Sequence, residues 1–143
     1  MIMFVVAMLA LSAPIEGPQA RDPSAGAATA GSPVTGSAVT NAARDWLTLV
    51  DEAKWKESWA ASGQPFKSLN TVDAWRSASE KVRLPLGRVL SRKLVGEQDV
   101  PAPPNGYRLV RFQTDFANKK GAIETLSLDR EGDSWKVVGI YIE

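Results

Sequence analysis

The sequence predicts an α+β domain, with N-terminal helices packed on one face of a four-stranded antiparallel meander sheet. Three observations predict it. Apolar residues recur at helical spacing between Asn41 and Val82, the period falls to two after Gly87, and the links between the period-two segments are turn-like. Links that short cannot carry a parallel crossover, so the strands must run antiparallel.

Asn41 is the expected cap of the first helix, with Ala43, Trp46, Leu47 and Val50 at i, i+3, i+4 and i+7. Continuing that stripe would bury Lys54 and Glu57, while the large apolar residues move to Trp55 and Trp59. The slip of phase predicts a kink or tight turn near Asp51–Lys54 and then a short second helix, stopped by Gly63-Gln64-Pro65. A third helix starts from Asn70 or Thr71, with Asp73 in the first turn and Lys81 and Arg83 at the far end, as the helix dipole favours. Its core face is Trp75, Ala78, Ser79 and Val82, and Leu84-Pro85-Leu86-Gly87 ends the helical half. Strands are expected at about 88–96, 106–116, 121–129 and 134–142. A Pro-rich loop (Pro101, Pro103, Pro104, Asn105, Gly106) joins the first two. Hairpin turns at Asn118–Gly121 and Arg130–Asp133 join the rest.

Ahead of this domain, residues 1–13 read MIMFVVAMLALSA, an uncharged apolar run. As a helix it covers ~20 Å, short of the ~30 Å hydrocarbon core, so a signal peptide fits better than a span. Cleavage is expected after Ser12, Ala13 or Ala20, leaving no membrane span in the mature chain. No Lys or Arg precedes the run, so either the start lies upstream or the terminal amine supplies the charge. Residues 14–40 form a linker of small residues, Gly and Pro, with Val34 and Val39 as its large apolar residues after Gly17. That is too little to offset the entropy of ordering. The folded domain is then 41–143.

Composition closes several function classes. Basic and acidic residues number 17 and 16, a balance too even to draw a nucleic acid. With no cysteine, disulfides, thiolate catalysis, zinc–thiolate sites and lipid attachment to an N-terminal cysteine are excluded. With no histidine, the commonest general base and metal ligand is missing. No cofactor and no metal is expected. Asp129–Asp133 has a faint calcium-loop look, but it lacks the distal Glu and sits where a hairpin must turn.

Several segments together resemble one family: Ala42–Leu47, Glu57-Ser58-Trp59, Leu86-Gly87 with Ser91–Leu94, Phe116–Lys120 running into Glu124-Thr125, and Ser134–Gly139. They are similar to the bacterial family of domain of unknown function 4019 (DUF4019). The resemblance implies an exported protein and an architecture like the cystatin or nuclear-transport-factor-2 folds, in which a curved antiparallel sheet cups helices. It implies no activity.

The candidate site comes from strand parity. Leu90, Arg92 and Leu94 share a face, as do Val110, Phe112, Thr114 and Phe116, and then Ala122, Glu124, Leu126 and Leu128. Each set is apolar but for one member. Pairing in sequence order would put Arg92, Thr114 and Glu124 in one row, with Arg92 and Glu124 ~10 Å apart across the central strand. One reading is a polar floor for a small anionic or amide ligand, where Glu124 could act as acid or base. The simpler reading is a structural Arg–Glu pair that fixes register, since buried charges survive only when paired. The five tryptophans are expected mostly in the core. The basic stretch Lys81, Arg83, Arg88, Arg92 and Lys93 is read as protection of a sheet edge rather than an anionic docking site. The leading expectation is therefore an exported, non-enzymatic module that binds a small molecule or an envelope protein. The alternatives are a small carboxylate-dependent hydrolase or isomerase using Glu124, and an assembly protein using the sheet edge.

Overall fold

The computed structural model describes residues 36–103 and 105–143; the signal peptide expected at 1–13 and most of the linker expected at 14–40 lie outside them. In chain order come α1 (Ala38–Asp51), α2 (Trp55–Ala61), α3 (Gln64–Leu69), α4 (Val72–Leu86), β1 (Val89–Val100), β2 (Tyr107–Phe116), β3 (Lys119–Glu131) and β4 (Ser134–Ile142). The strands form one antiparallel sheet in the order β1-β2-β3-β4. This is the expected α+β meander. Among the described residues, no helix is long and apolar enough to cross a membrane.

The first helix starts earlier than its apolar stripe suggests. Ser37, not Asn41, caps it by accepting the Thr40 N–H, so 38–40 belong to the helix rather than the linker. Val39 and Thr40 are buried, which is what holds that extra turn down. Ala43, Trp46, Leu47 and Val50 form the buried face as expected. The phase slip is a sharp reversal at Glu52–Lys54, where Ala53 takes a φ of 56°. It turns Trp55 inward and leaves Lys54 and Glu57 exposed.

One helix escaped the sequence reading. Gln64–Leu69 forms α3, six residues with Pro65 in the first turn, where its missing N–H costs nothing. Gly63 precedes it and donates its N–H to the Val137 carbonyl of β4 at 2.8 Å. A Cβ at Gly63 would stand 2.7 Å from the Val138 side chain, so only glycine allows that approach. α4 is capped by Thr71 and runs through Pro85 in its last turn to Leu86; Gly87, at φ 76°, ends it.

The helices bury one face of the sheet. Trp46, Phe66 and Trp75 meet with ring centroids 5.0 to 6.3 Å apart, two of the three pairs edge-to-face. Their polar edges are answered by α2. Trp46 Nε1 donates to the Ser58 carbonyl (2.9 Å) and to Ser62 Oγ (3.0 Å), and Trp75 Nε1 donates to Ser58 Oγ (2.9 Å). A seven-residue helix thus satisfies two buried indoles that would otherwise lose roughly 1–3 kcal/mol each.

Two β1 residues depart from simple alternation. Register shifts at Val89/Ser91 and Leu94/Gly96 are bulges that leave Leu90 and Val95 exposed. Leu90 therefore does not share the core face with Arg92 and Leu94, as parity alone had placed it. Bulges on an edge strand blunt it against pairing with another sheet.

Candidate functional site

The polar residues singled out in the strands do meet, through a different register. Arg92 lies opposite Thr114, as expected, but Glu124 lies opposite Phe112 and Thr114 opposite Ala122. The single row is therefore a diagonal. The cause is the β2–β3 turn: it falls at Ala117-Asn118, with a register shift between Thr114 and Phe116, rather than across Asn118–Gly121. Side-chain length closes the offset. Arg92 Nε donates to Glu124 Oε1 at 2.8 Å, and the Thr114 hydroxyl donates to the same oxygen at 2.5 Å.

Two further residues complete the cluster. Arg83 of α4 donates through Nη2 to Glu124 Oε2 (2.8 Å) and through Nη1 to Asp51 Oδ1 (3.1 Å). Asp51, the last residue of α1, also takes both terminal nitrogens of Arg92, at 2.7 and 3.1 Å. Two guanidiniums and two carboxylates thus close into a neutral ring joining α1, α4, β1 and β3. Glu124 is fully buried, and the arginine side chains are only 10–11% exposed. Burial works against the Arg92 charge, but hydrogen bonds and charge from Asp51 and Glu124 outweigh it and hold its pKa above the usual value. Both carboxylate oxygens of Glu124 accept hydrogen bonds, Oε1 from Arg92 and Thr114 and Oε2 from Arg83, and the group is fully buried.

The basic stretch divides accordingly. Arg83 and Arg92 turn into the ring, while Lys81, Arg88 and Lys93 stay exposed.

A second carboxylate pins the other end of α1. Glu97 of β1 accepts hydrogen bonds from the Ser37 and Thr40 hydroxyls and pairs with Arg108 at 3.0 Å. The Ser37 and Thr40 hydroxyls, with help from Arg108, hold its pKa below the ordinary carboxylate value against the effect of burial.

Two clefts lie toward the opposite end of the sheet, by the β1–β2 loop and the β3–β4 hairpin. The first, of about 680 Å³, is lined by Asp99, Asn105, Tyr107, Arg108, Arg130 and Trp135, among others. A second, of about 670 Å³, runs between α1 and β4 past Asn41, Asp45, Ser134 and Trp135. Trp135 is the wall common to both. Its ring packs partly on the core and carries Arg130 at 6.0 Å from its centroid. Arg108 spends its terminal nitrogens on Glu97 and Asp99, yet its buried Nε has no acceptor among the described residues. Neither cleft is lined by Arg92, Thr114 or Glu124.

The family model for a protein of unknown function, DUF4019, matches residues 42–140. The chain belongs to the DUF4019 family. No curated protein matches it. A solved structure of Bd1075 from Bdellovibrio bacteriovorus is similar at 13% identity with a TM-score of 0.41, over 72% of this chain and 38% of that one. So distant a likeness transfers nothing.

The matched segment of this DUF4019 chain contains both the ring and Trp135. Sequence reasoning found Arg92, Thr114 and Glu124 and missed Asp51 and Arg83. A signal for both was present. Asp51 stands four residues after Leu47, and Arg83 four after Ser79, so each charge continues a buried helical stripe. Trp135 was grouped with the other tryptophans as a core residue, although it alone among them follows a hairpin turn rather than lying in the helical half.

Proposed function

We propose that this DUF4019 chain is an exported, non-enzymatic binding module whose ligand occupies the clefts beside Trp135. The observation that carries the reading is the shared wall. One half-buried indole lines two clefts, the first rimmed by amide, carboxylate and guanidinium groups and the second by amide, carboxylate and ammonium groups, the lining expected of a site for a small or extended polar ligand. The ring of Asp51, Arg83, Arg92 and Glu124 serves to hold helices to sheet. Its carboxylates are consumed by its own arginines, which argues against Glu124 as a base. Export rests on the leader-like residues 1–13 and the small-residue linker.

Ligand-detected NMR with a fragment library tests the site. Fragments should bind the wild-type chain and Glu124→Gln alike, and lose binding in Trp135→Ala. Fragments that bind Trp135→Ala normally but not Glu124→Gln would return the site to the ring. For export, N-terminal sequencing of protein from a bacterial host should find an envelope species beginning near Ala13 or Pro14. A chain found only in the cytosol, still beginning at Met1, would refute it.

A further inference from the structure

We infer that the ligand of the Trp135 clefts is an uncharged oligosaccharide, an inference that rests on the cleft reading above and adds the chemical class. Charge balance comes first. Arg108 and Arg130 face Asp99 and Asp129 in the first cleft, and these groups already answer one another or the backbone. Arg108 pairs with Asp99 at 2.9 Å, Asp129 accepts the Arg130 N–H at 2.7 Å, and Arg130 Nε reaches the Gly132 carbonyl at 3.3 Å. A charged ligand would find no net field there to draw it. The second cleft holds Asp45 and Asp133 against Lys136, which disfavours an anionic chain further.

The shape of the groups comes next. Carboxylates, amide and guanidiniums are planar, two-point partners, suited to hydroxyls carried on neighbouring carbons. They surround an indole whose face matches the C–H face of a pyranose ring. Arg108 lines the first cleft and its Nε has no acceptor among the described residues; that nitrogen is buried, so a ligand hydroxyl meets it once the guanidinium turns toward the cleft. Two clefts flanking one aromatic ring suit a chain of sugar units rather than a single unit. A peptide is the less favoured occupant. Extended peptides bind mainly through unpaired strand-edge backbone, and the β4 edge already gives its Val137 carbonyl to Gly63.

The test is isothermal titration calorimetry of the full chain with cellotetraose, tetragalacturonate and tetra-alanine, each at up to ~10 mM, the weak end of specific binding. Cellotetraose should bind, with affinity reduced about tenfold or more in Trp135→Ala and largely restored in Trp135→Phe. Arg108→Lys, which keeps the positive charge and removes Nε, should weaken it by several fold. Binding by tetragalacturonate or tetra-alanine alone, lost in Trp135→Ala, would overturn the saccharide class and leave the cleft reading standing. Cellotetraose binding that Trp135→Ala does not change, or no binding by any of the three probes, would overturn the inference. The fragment experiment then decides the cleft reading separately. Circular dichroism of each variant separates lost binding from lost folding.

Discussion

The two ends of the sheet handle polar groups in opposite ways. At the end where β2 turns into β3, four charges converge between helices and sheet and each is answered twice over, Arg83 and Arg92 each reaching both Asp51 and Glu124. At the end where β3 turns into β4, roughly 20 Å away along the strands, charges stay at the rim, Arg108 keeps an unanswered nitrogen, and Trp135 lies between two clefts. A saturated cluster has little left to offer a ligand, whereas an unsaturated one does. The difference teaches that a buried, charged and conspicuous group of residues is weak grounds for a site. The partly satisfied rim carries the better case.

The comparison can be broken first at the ring. Glu124→Ala leaves two guanidiniums facing each other with one carboxylate between them, in surroundings that exclude water. Urea denaturation should show a loss of about 3–5 kcal/mol. A loss below ~1 kcal/mol would mean that the ring is not structural. Asp51→Ala removes the more exposed carboxylate, 22% accessible, and should cost about 1–2 kcal/mol, with water answering what remains. Trp135→Ala should lower stability by only ~1–2 kcal/mol, because its ring is half-buried, while removing fragment binding altogether. An equal loss of stability at Glu124 and Trp135 would erase the contrast.

The smallest effect concerns pH. Glu97 has a folded-state pKa below its unfolded value, so its share of stability is present above the ordinary carboxylate pKa of about 4.3. That share is lost as pH falls through the depressed value. The N-terminal turn of α1 should fray first in that window, read as faster amide exchange at Thr40 and Asn41, and Glu97→Gln should flatten the dependence.

Much of the fold was legible because helical and strand periods differ so plainly on either side of Gly87. The reversal near Asp51 was legible too, since no continuous helix could bury Trp46, Trp55 and Trp59 together without also burying Lys54. What escaped reading was set by geometry that parity ignores. The bulge at Leu90 breaks alternation with no glycine or proline beside it, the one at Val95 is marked only by Gly96, and α3 is too short to show a period. Strand parity gave half of the ring. The other half came from helices whose inward faces end in a charge, a pattern that a search for apolar stripes discards. The clefts depend on how a loop, a hairpin and α1 converge, and no local pattern encodes that.

One spectrum tests the contrast most directly. In a ¹⁵N–¹H correlation spectrum of the chain titrated with its best fragment, the indole N–H of Trp135 and the Nε–H signals of Arg83, Arg92 and Arg108 can all be followed at once. Trp135 and Arg108 should shift while Arg83 and Arg92 stay in place. Movement of Arg83 and Arg92 with a silent Trp135 would contradict it.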